Sequence, residues 1–325
     1  MKRLFWALLR WGSALLVALA LGLFGAYQKY VLAEPGPEFT REAVEAIIAQ
    51  ESPVFYRDGV TPMGVFFDQE HRNYVPYADL PRDWVNAIVA AEDGNFFQHP
   101  GVDPKHILRA AWQNIKAGAV VAGGSTLTQQ TAKNLFYRPD RSLRSKGVEL
   151  VNAARLEAHF SKEDILEFYA NQFHVSANGR GIGIAARYFF DKTPQALSPK
   201  ECAFIAGMVK APSRYNPFIG QTDERRAAAR ALAENRTAYV VRRMVEEGYL
   251  PAARAEAMLA TPLDFRRGAF RYDRSVVLDE VQRRLEEPEF IELFERAGID
   301  NPSTAGLRIV TTVAHRAQAA ATDTP

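Results

Sequence analysis

A long hydrophobic run opens the chain, where residues 4–27 are almost entirely apolar. A helix of about 20 such residues spans the hydrocarbon core of a bilayer. Lys2, Arg3 and Arg10 lie before or near the start of the run, so the positive-inside rule orients the N-terminus toward the cytoplasm. Residues 1–33 are therefore predicted to form a single-pass membrane anchor. A cleaved signal peptide is the alternative, although no small-residue cleavage site follows the run.

The middle of the chain, from Pro81 to about Ala260, has the periodicity of helices separated by loops that contain glycine and proline. The run from Pro81 to Glu92 is apolar on nearly all sides, which predicts a buried helix opened by a proline and stopped by Gly94. The glycine-rich segment 175–183 is predicted to be a flexible loop. The other predicted helices cover residues 104–117, a segment capped by Ser125, a segment ending near Phe160, and residues 161–171, 198–209, 225–250, 251–260 and 275–297.

Short β-branched and aromatic segments flank the helical part. Residues 54–59 and 63–67 predict two strands around a turn, with a third near 73–76 and another at 306–313. Residues 40–50 have the pattern of a short amphipathic helix. We therefore predict a mainly α fold with a small β-hairpin region, preceded by one transmembrane helix. The predicted divisions are the anchor at 1–33, a linker with short strands at 34–80, a helical core at 81–220, and C-terminal helices with a strand-like bridge at 221–325.

Composition limits the possible partners and chemistry. The formal net charge is +2 over 325 residues, which gives no electrostatic reason to expect nucleic acid. The single cysteine, Cys202, lies in an apolar stretch. An intrachain disulfide is therefore excluded, and a buried structural thiol is favoured over a reactive nucleophile.

Glu92 is the first candidate for chemistry, because it lies where the apolar helix is predicted to reach the surface. The negative end of the helix dipole and partial desolvation both raise the proton affinity of a carboxylate in that position. A general base that works near neutral pH needs such a raised proton affinity. The alternative is a solvated Glu92–Asp93 pair at an ordinary helix end.

Two further polar groups are candidates for a site. Gln130, Lys133 and Asn134 are spaced to share one helix face. Lys146 and Glu149 stand three residues apart on the next predicted helix. The alternatives are a solvated face and a surface ion pair of little energetic value.

Five stretches follow one another along the chain: Glu92-Asp-Gly-Asn-Phe96-Phe-Gln-His99-Pro-Gly101, Gly123-Gly-Ser-Thr-Leu-Thr-Gln-Gln130, Lys146-x-x-Glu149, Lys162-Glu-Asp-Ile-Leu-Glu167-Phe-Tyr-Ala-Asn171 and Tyr215-Asn-Pro217. Together they resemble glycosyltransferase family 51, the peptidoglycan glycosyltransferases. These occur as monofunctional enzymes and as the N-terminal module of class A penicillin-binding proteins. The resemblance covers roughly residues 50–220, and the ordered set is strongly specific.

The resemblance implies a lysozyme-like helical fold on the outer face of the cytoplasmic membrane, and polymerisation of lipid II. It implies that Glu92 is the base that deprotonates the acceptor hydroxyl and that Glu149 is the second catalytic carboxylate. The substrate-binding positions that it implies are Lys133, Arg141 and Lys146 for the pyrophosphate, Ser125, Thr126, Gln129 and Gln130 for sugar and phosphate oxygens, Asp93, Phe96 and His99 around the base, and Asn171.

The same resemblance implies partners and cofactors. The substrates would be lipid II and the growing glycan chain, the surface would be the membrane, and other cell-wall synthesis proteins would be partners. The sequence has no metal-ligand spacing, so no cofactor is expected to be required. A magnesium or manganese ion could still bridge the pyrophosphate and a carboxylate.

Some positions depart from the family pattern. Ser145 stands where the family often has an arginine, Ala170 where it usually has a leucine, and residues 174–176 lack a common aromatic–glycine pair. These changes put substrate detail and turnover in doubt but leave Glu92 and Glu149 in place. The chain also contains no Ser-x-x-Lys and no Lys-Thr-Gly, so these residues predict no serine transpeptidase. Either a monofunctional enzyme or the N-terminal portion of a longer protein is expected.

Three other functions compete with this one. A lytic transglycosylase or muramidase shares the helical core and a catalytic glutamate, but needs no cations for a pyrophosphate. A soluble nucleotide-sugar transferase is disfavoured because no Asp-x-Asp pair occurs. An inactive membrane-anchored scaffold would account for the departures at Ser145 and residues 174–176.

Overall fold

The computed structural model describes residues 2–33, 36–48, 52–66, 71–72, 74–119, 123–136, 140, 142–176, 179–268, 276–285, 287–297, 299 and 307–315. Over these residues the chain is mainly helical with a few short strands, so the predicted fold class is confirmed. The contacts group into two units, one made of Met1–Val44 and Phe97–Ile165 and the other of Glu45–Phe96 and Leu166–Pro325. The domain boundaries expected at residues 33, 80 and 220 stay a prediction.

The α-helices of the described residues are α1 Lys2–Tyr27, α2 Arg41–Ile48, α3 Arg82–Glu92, α4 Pro104–Ala117, α5 Leu127–Leu135, α6 Leu143–His159, α7 Lys162–Gln172, α8 Gly181–Phe190, α9 Pro199–Met208, α10 Asp223–Glu246, α11 Ala252–Ala260, α12 Val276–Leu285 and α13 Pro288–Arg296. The strands are β1 Ser52–Phe55, β2 Pro62–Phe66, β3 His71–Arg72, β4 His174–Ser176, β5 Gly179–Arg180 and β6 Ile309–Val310.

The N-terminal helix α1 continues into a π-helical turn at Gln28–Leu32. By length and composition the segment Trp11–Leu32 can cross a bilayer, a test that a signal sequence at an N-terminus also passes. The end of this segment is fixed to α6 of the same unit, because Arg155 Nε donates to the carbonyl oxygen of Tyr30 at 2.5 Å. The predicted anchor therefore coincides with a single apolar helix.

Capping residues set the helix bounds in the first unit. Helix α4 begins at Pro104 and ends at Ala117, and Gly118 follows in the left-handed conformation (φ 61°), as predicted. The expected cap of α5 was Ser125, and this expectation is wrong. Thr126 is the N-cap, because its extended backbone lets Oγ1 accept from the N–H of Gln129 at 3.2 Å.

The core of the second unit is built from α3, α9 and α10, which pack on one another. Helix α3 buries six of its side chains, and full burial of a valine or isoleucine such as Val89 or Ile88 contributes about 1.5–3 kcal/mol. Pro81 is the N-cap of α3 and not its first residue. Helix α9, which was predicted over 198–209, starts with a capping box between Ser198 and Glu201. Cys202 on α9 is buried, and burial raises the pKa of its thiol, as does the nearby charge of Asp83.

Two small sheets belong to the second unit. Strands β1 and β2 form the predicted antiparallel hairpin, and β6 pairs in parallel with β1 through Val54 and Ile309. Leu278 of α12 packs against Val54 beneath this sheet. The second sheet has the order β3-β5-β4. The third strand predicted near residues 73–76 is wrong, because residues 74–76 form no strand, and the two-residue strand β3 lies before them at His71–Arg72.

Two further sequence-based predictions about elements are wrong. The described residues of the segment 175–183, which are 175–176 and 179–183, are not a flexible loop, because β4 pairs with β5 and Gly181 then starts α8. The single helix predicted over 275–297 is two helices, α12 and α13. Pro288 opens α13, and its ring and missing N–H prevent a continuous helix through this point.

Gly181 offers a test of the packing between α7 and α8. It has φ 82°, and a Cβ there would lie 3.0 Å from Cα of Asn171 and 3.1 Å from the carbonyl oxygen of Ala170. We expect Gly181→Ala to lower the free energy of unfolding by about 2–4 kcal/mol, through left-handed strain and overpacking. Urea unfolding of the detergent-solubilised protein measures this loss.

Gly248 provides the matched control, because it also has a positive φ (77°), but a Cβ at this position would meet no neighbouring atom within 4 Å. Gly248→Ala should therefore lose only about 1–2 kcal/mol, from backbone strain alone. Equal losses in the two variants would contradict the close backbone contact at Gly181.

Candidate active site

Glu92 is the last residue of α3, where the buried helix ends. Its side chain is 18% exposed, and Arg236 of α10 donates to it from Nη2 to Oε1 at 3.2 Å. Burial raises the pKa of Tyr169, and the negative charge of Glu92 adds to the effect. The second unit thus holds a partly desolvated carboxylate that is paired with a cation and acts electrostatically on a buried phenol.

Sequence reasoning missed Arg236, which lies 144 positions from Glu92. Its guanidinium also donates from Nε to the carbonyl oxygen of Gly207 at 2.9 Å and lies 4.6 Å from the ring centroid of Tyr239. Helix α10 carries several arginines in an Ala/Arg/Glu-rich sequence, and no spacing distinguishes this one.

Asp93 and Phe96 form the turn that follows the candidate base. Asp93 is the buried C-cap of α3, and its carbonyl oxygen accepts from the N–H of Phe96 at 2.9 Å. Phe96 is fully buried. Both residues therefore belong to the turn itself, and the substrate-binding role that the resemblance implied for them stays a prediction.

Lys146 is the centre of a polar cluster in the first unit. Its Nζ donates to the carboxylate of Glu149, to Oγ of Ser125 at 3.1 Å and to Oε1 of Gln129 at 3.2 Å. The Glu149 side chain is only 4% exposed, and that of Lys146 is 35% exposed. The pair is therefore not an ordinary surface ion pair, and four of the predicted site residues lie together here.

The other predicted residues of α5 differ in exposure. Thr126 is buried, and besides capping α5 it donates from Oγ1 to the carbonyl oxygen of Gly101 at 2.6 Å. Gln129 is also buried, and within the described part of the chain its Nε2 has no acceptor. Gln130 is partly exposed and Lys133 is exposed. Arg141 lies outside the described residues, so its role as a cation stays a prediction.

Ser145 explains how the chain accommodates its departure from the family pattern. Its side chain is buried in the first turn of α6 and donates to Oδ1 of Asp140. Oδ1 of Asp140 also accepts from the N–H of Ser142, the N-cap of α6, at 2.9 Å. The residue therefore stabilises the start of the helix that carries Lys146.

His99 lies in a turn that a partly buried ion pair holds. Lys162 Nζ donates to the carbonyl oxygen of His99 at 2.8 Å and to Oε1 of Glu157 at 2.6 Å. Thr128 Oγ1 donates to the same carboxylate oxygen at 2.5 Å. The His99 side chain is buried as well. These contacts hold the backbone at His99, whereas its expected place around the base stays a prediction. Sequence reasoning did not find the Glu157–Lys162 pair.

Asn171 has a different surrounding from the one expected of a substrate ligand. It is buried, its Oδ1 accepts from the N–H of Val75 at 2.8 Å, and its Nδ2 donates to the carbonyl oxygens of Val75 and Glu167. The Glu167 carboxylate accepts from the N–H of Tyr77 at 2.6 Å. With its amide groups occupied, Asn171 holds the chain at residues 74–77, and we correct its assignment from substrate binding to this role.

The predicted site residues therefore form two groups. Glu92, Asp93 and Phe96 belong to the second unit, whereas Lys146, Glu149 and the residues of α5 belong to the first. The catalytic roles that the resemblance implies for Glu92 and Glu149 stay a prediction. Among the described residues, no cluster of three or more His, Cys, Asp or Glu side chains could hold a metal ion.

Comparison with known proteins decides the family. The family model described as Transglycosylase matches residues 58–245, which is more than half of the chain. The chain belongs to this family, glycosyltransferase family 51. The match includes both candidate carboxylates and also Arg236.

The similar proteins are penicillin-binding proteins 1A. That of Pseudomonas aeruginosa is 37% identical over 61% of this chain and 23% of its own length. That of Aquifex aeolicus is 41% identical over 60% of this chain and 26% of its own length. A crystal structure of the Haemophilus influenzae protein matches with a TM-score of 0.40 and 21% identity, over 83% of this chain and 28% of that one. The transglycosylase chain thus spans about a quarter of the length of these relatives.

Because the Glu149 carboxylate is buried, we predict that its ion pair with Lys146 contributes measurably to the free energy of unfolding of this transglycosylase. Lys146→Met would leave the buried Glu149 carboxylate without its cation. Because Lys146 is about one-third exposed, we expect a loss of about 1–2 kcal/mol in the free energy of unfolding. The double variant with Glu149→Gln should recover most of it, as urea unfolding would record.

Arg144→Met serves as the control, because Arg144 is an exposed cation on the same helix. Its loss should stay within about 0.5 kcal/mol. If Lys146→Met were no less stable than Arg144→Met, the assignment of Lys146 as the partner of a buried charge would be wrong.

Proposed function

We propose that the chain is a peptidoglycan glycosyltransferase that polymerises lipid II into β-1,4-linked glycan strands and releases undecaprenyl pyrophosphate. Membership of the transglycosylase family supports this. The observation that carries the proposal is the Lys146 cluster, in which a cation is held among Glu149, Ser125 and Gln129. A leaving pyrophosphate needs such a preorganised cation, whereas cleavage of a glycan strand releases no phosphate.

In the proposed reaction Glu92 acts as the general base. Its carboxylate takes the proton of the 4-hydroxyl of the acceptor's GlcNAc, and the resulting oxygen attacks the anomeric carbon of the terminal MurNAc on the donor chain. The new C–O bond forms as the bond from that carbon to the pyrophosphate breaks, with inversion of configuration. A base of this kind contributes about 100- to 10,000-fold to the rate.

The negative charge that grows on the pyrophosphate is the second requirement. We assign its stabilisation to Lys146 and Lys133, with Arg141 as the further expected cation. Loss of one preorganised contact of this type costs about 3 kcal/mol of transition-state stabilisation. Gln129 supports the assignment, because its buried Nε2 has no acceptor in the described part of the chain and is available to a phosphate or sugar oxygen.

The proposal extends to location and partners. We propose that α1 anchors the protein in the cytoplasmic membrane with its N-terminus inside, so that both units act on the outer face, where lipid II is presented. The basic residues before the apolar run support this orientation. Cell-wall synthesis proteins are the expected partners. A magnesium or manganese ion that bridges the pyrophosphate and a carboxylate stays a prediction, and no cofactor is proposed as required.

A polymerisation assay with purified lipid II and a gel readout tests the function. We expect glycan strands from the unmutated protein, and a loss of at least about 100-fold in rate for Glu92→Gln. Lys146→Ala and Lys133→Ala should each lose about 100-fold, the equivalent of one preorganised contact. Circular dichroism checks that each variant is folded.

Glu256→Gln is the matched control, because Glu256 is exposed on α11 and should leave the rate unchanged. Absence of polymer from the unmutated protein would favour the inactive scaffold. Release of muropeptides from purified peptidoglycan without lipid II would favour a lytic enzyme. A wild-type rate for Glu92→Gln would exclude Glu92 as the base.

A further inference from the structure

Helix α10 contributes a residue that positions the candidate base. We propose that Arg236 is a positioning residue for Glu92, which orients its carboxylate and keeps it ionised before the proton is taken. The inference rests on the proposed function, since it assigns Arg236 a part in the same reaction. It is carried by the geometry at the end of α3.

Arg236 is fixed at two points, so it can hold Glu92 in one orientation. Nε donates to the carbonyl oxygen of Gly207 at 2.9 Å, and Nη2 donates to Oε1 of Glu92 at 3.2 Å. The Arg236 side chain is 11% exposed. A Cβ at Gly207 would lie 3.1 Å from Cγ of Arg236, so a glycine at this position lets α9 and α10 come close enough for the contact.

A second arginine of α10 secures the backbone of the same helix end. Arg243 lies seven residues after Arg236, two turns along the same face of α10. Its Nε donates to the carbonyl oxygen of Ala90 at 3.3 Å. Its guanidinium also pairs with Glu247, whose carboxylate lies 2.8 Å from the position of a Cβ on Gly94. The side chains of Arg243 and Glu247 therefore lie beside Ala90 and Gly94, which come two residues before and two residues after Glu92.

Glu92 requires a nearby cation because it is partly buried at the carboxyl end of α3. The carboxyl end of a helix and partial burial both disfavour an ionised carboxylate. An opposite charge at hydrogen-bond distance offsets these effects. Charged or titratable groups near this helix end include Asp93 on the same segment, Tyr169 on α7, and Arg243 of α10 with its partner Glu247, the C-cap of that helix.

The pH dependence of lipid II polymerisation separates positioning from a merely structural role. For Arg236→Gln we expect the acidic limb of the kcat/KM profile to move up by about one pH unit, because the ionised base loses its cation. We also expect a plateau lower by about 10- to 100-fold, because the carboxylate is no longer oriented. Arg236→Lys retains a cation but loses the guanidinium that donates to both Gly207 and Glu92. The acidic limb of the kcat/KM profile should therefore stay near its original pH, while the plateau of the profile falls.

Arg242→Gln is the matched control, since Arg242 is exposed on the same helix and should change neither limb nor plateau. A lower plateau in Arg236→Gln with an unmoved acidic limb would overturn the inference, because lost packing alone gives that result. If the unmutated protein forms no polymer, the proposed function fails, independently of Arg236.

A double-mutant cycle of Arg236→Lys and Glu92→Gln, followed by urea unfolding, needs no activity and replaces the pH profile if Arg236→Gln does not fold. Non-additive changes in the free energy of unfolding would support direct coupling of the two side chains. Additive changes would overturn it.

Discussion

Burial of α3 is the constraint on which the arrangement at Glu92 depends. The helix is packed against α9 and α10, so the position of its last residue is set by apolar contacts that hold whether or not the carboxylate is charged. The charge is then placed at the unfavourable end of a helix dipole and is partly removed from water. A guanidinium tied to the backbone of one neighbouring helix offsets this environment.

The second carboxylate, that of Glu149, is stabilised by a cation on its own helix. Lys146 lies one turn from Glu149 on the same helix, so α6 alone brings the two charges together. Ser125 and Gln129, which come before α6 in the chain, accept further hydrogen bonds from the Lys146 ammonium. The two candidate carboxylates therefore differ in kind: one is paired by helix geometry and the other by tertiary packing.

This difference explains how much could be predicted from the sequence. The Lys146–Glu149 pair, the cap at Ser198 and the β1–β2 hairpin follow from spacing within a few residues, and the structure agrees. Arg236 could not be found, because its contact with Glu92 depends on how α10 packs against α3. Asn171 was misassigned for the same reason, since only the tertiary structure shows its amide engaged by Val75. The strands in 175–183 depend on pairing with residues that carry no strand signal themselves.

The burial of Cys202 has a practical consequence for measuring distances in this protein. The Cys202 thiol, on α9, is buried and has a raised pKa, so it forms little thiolate at neutral pH. Burial also shields it from maleimides and other alkylating reagents. Cysteines introduced on exposed positions would therefore take up spin labels or fluorophores selectively, without removal of the native residue. Pairs of such labels, one on each unit, would report the separation of the two units in a lipid bilayer.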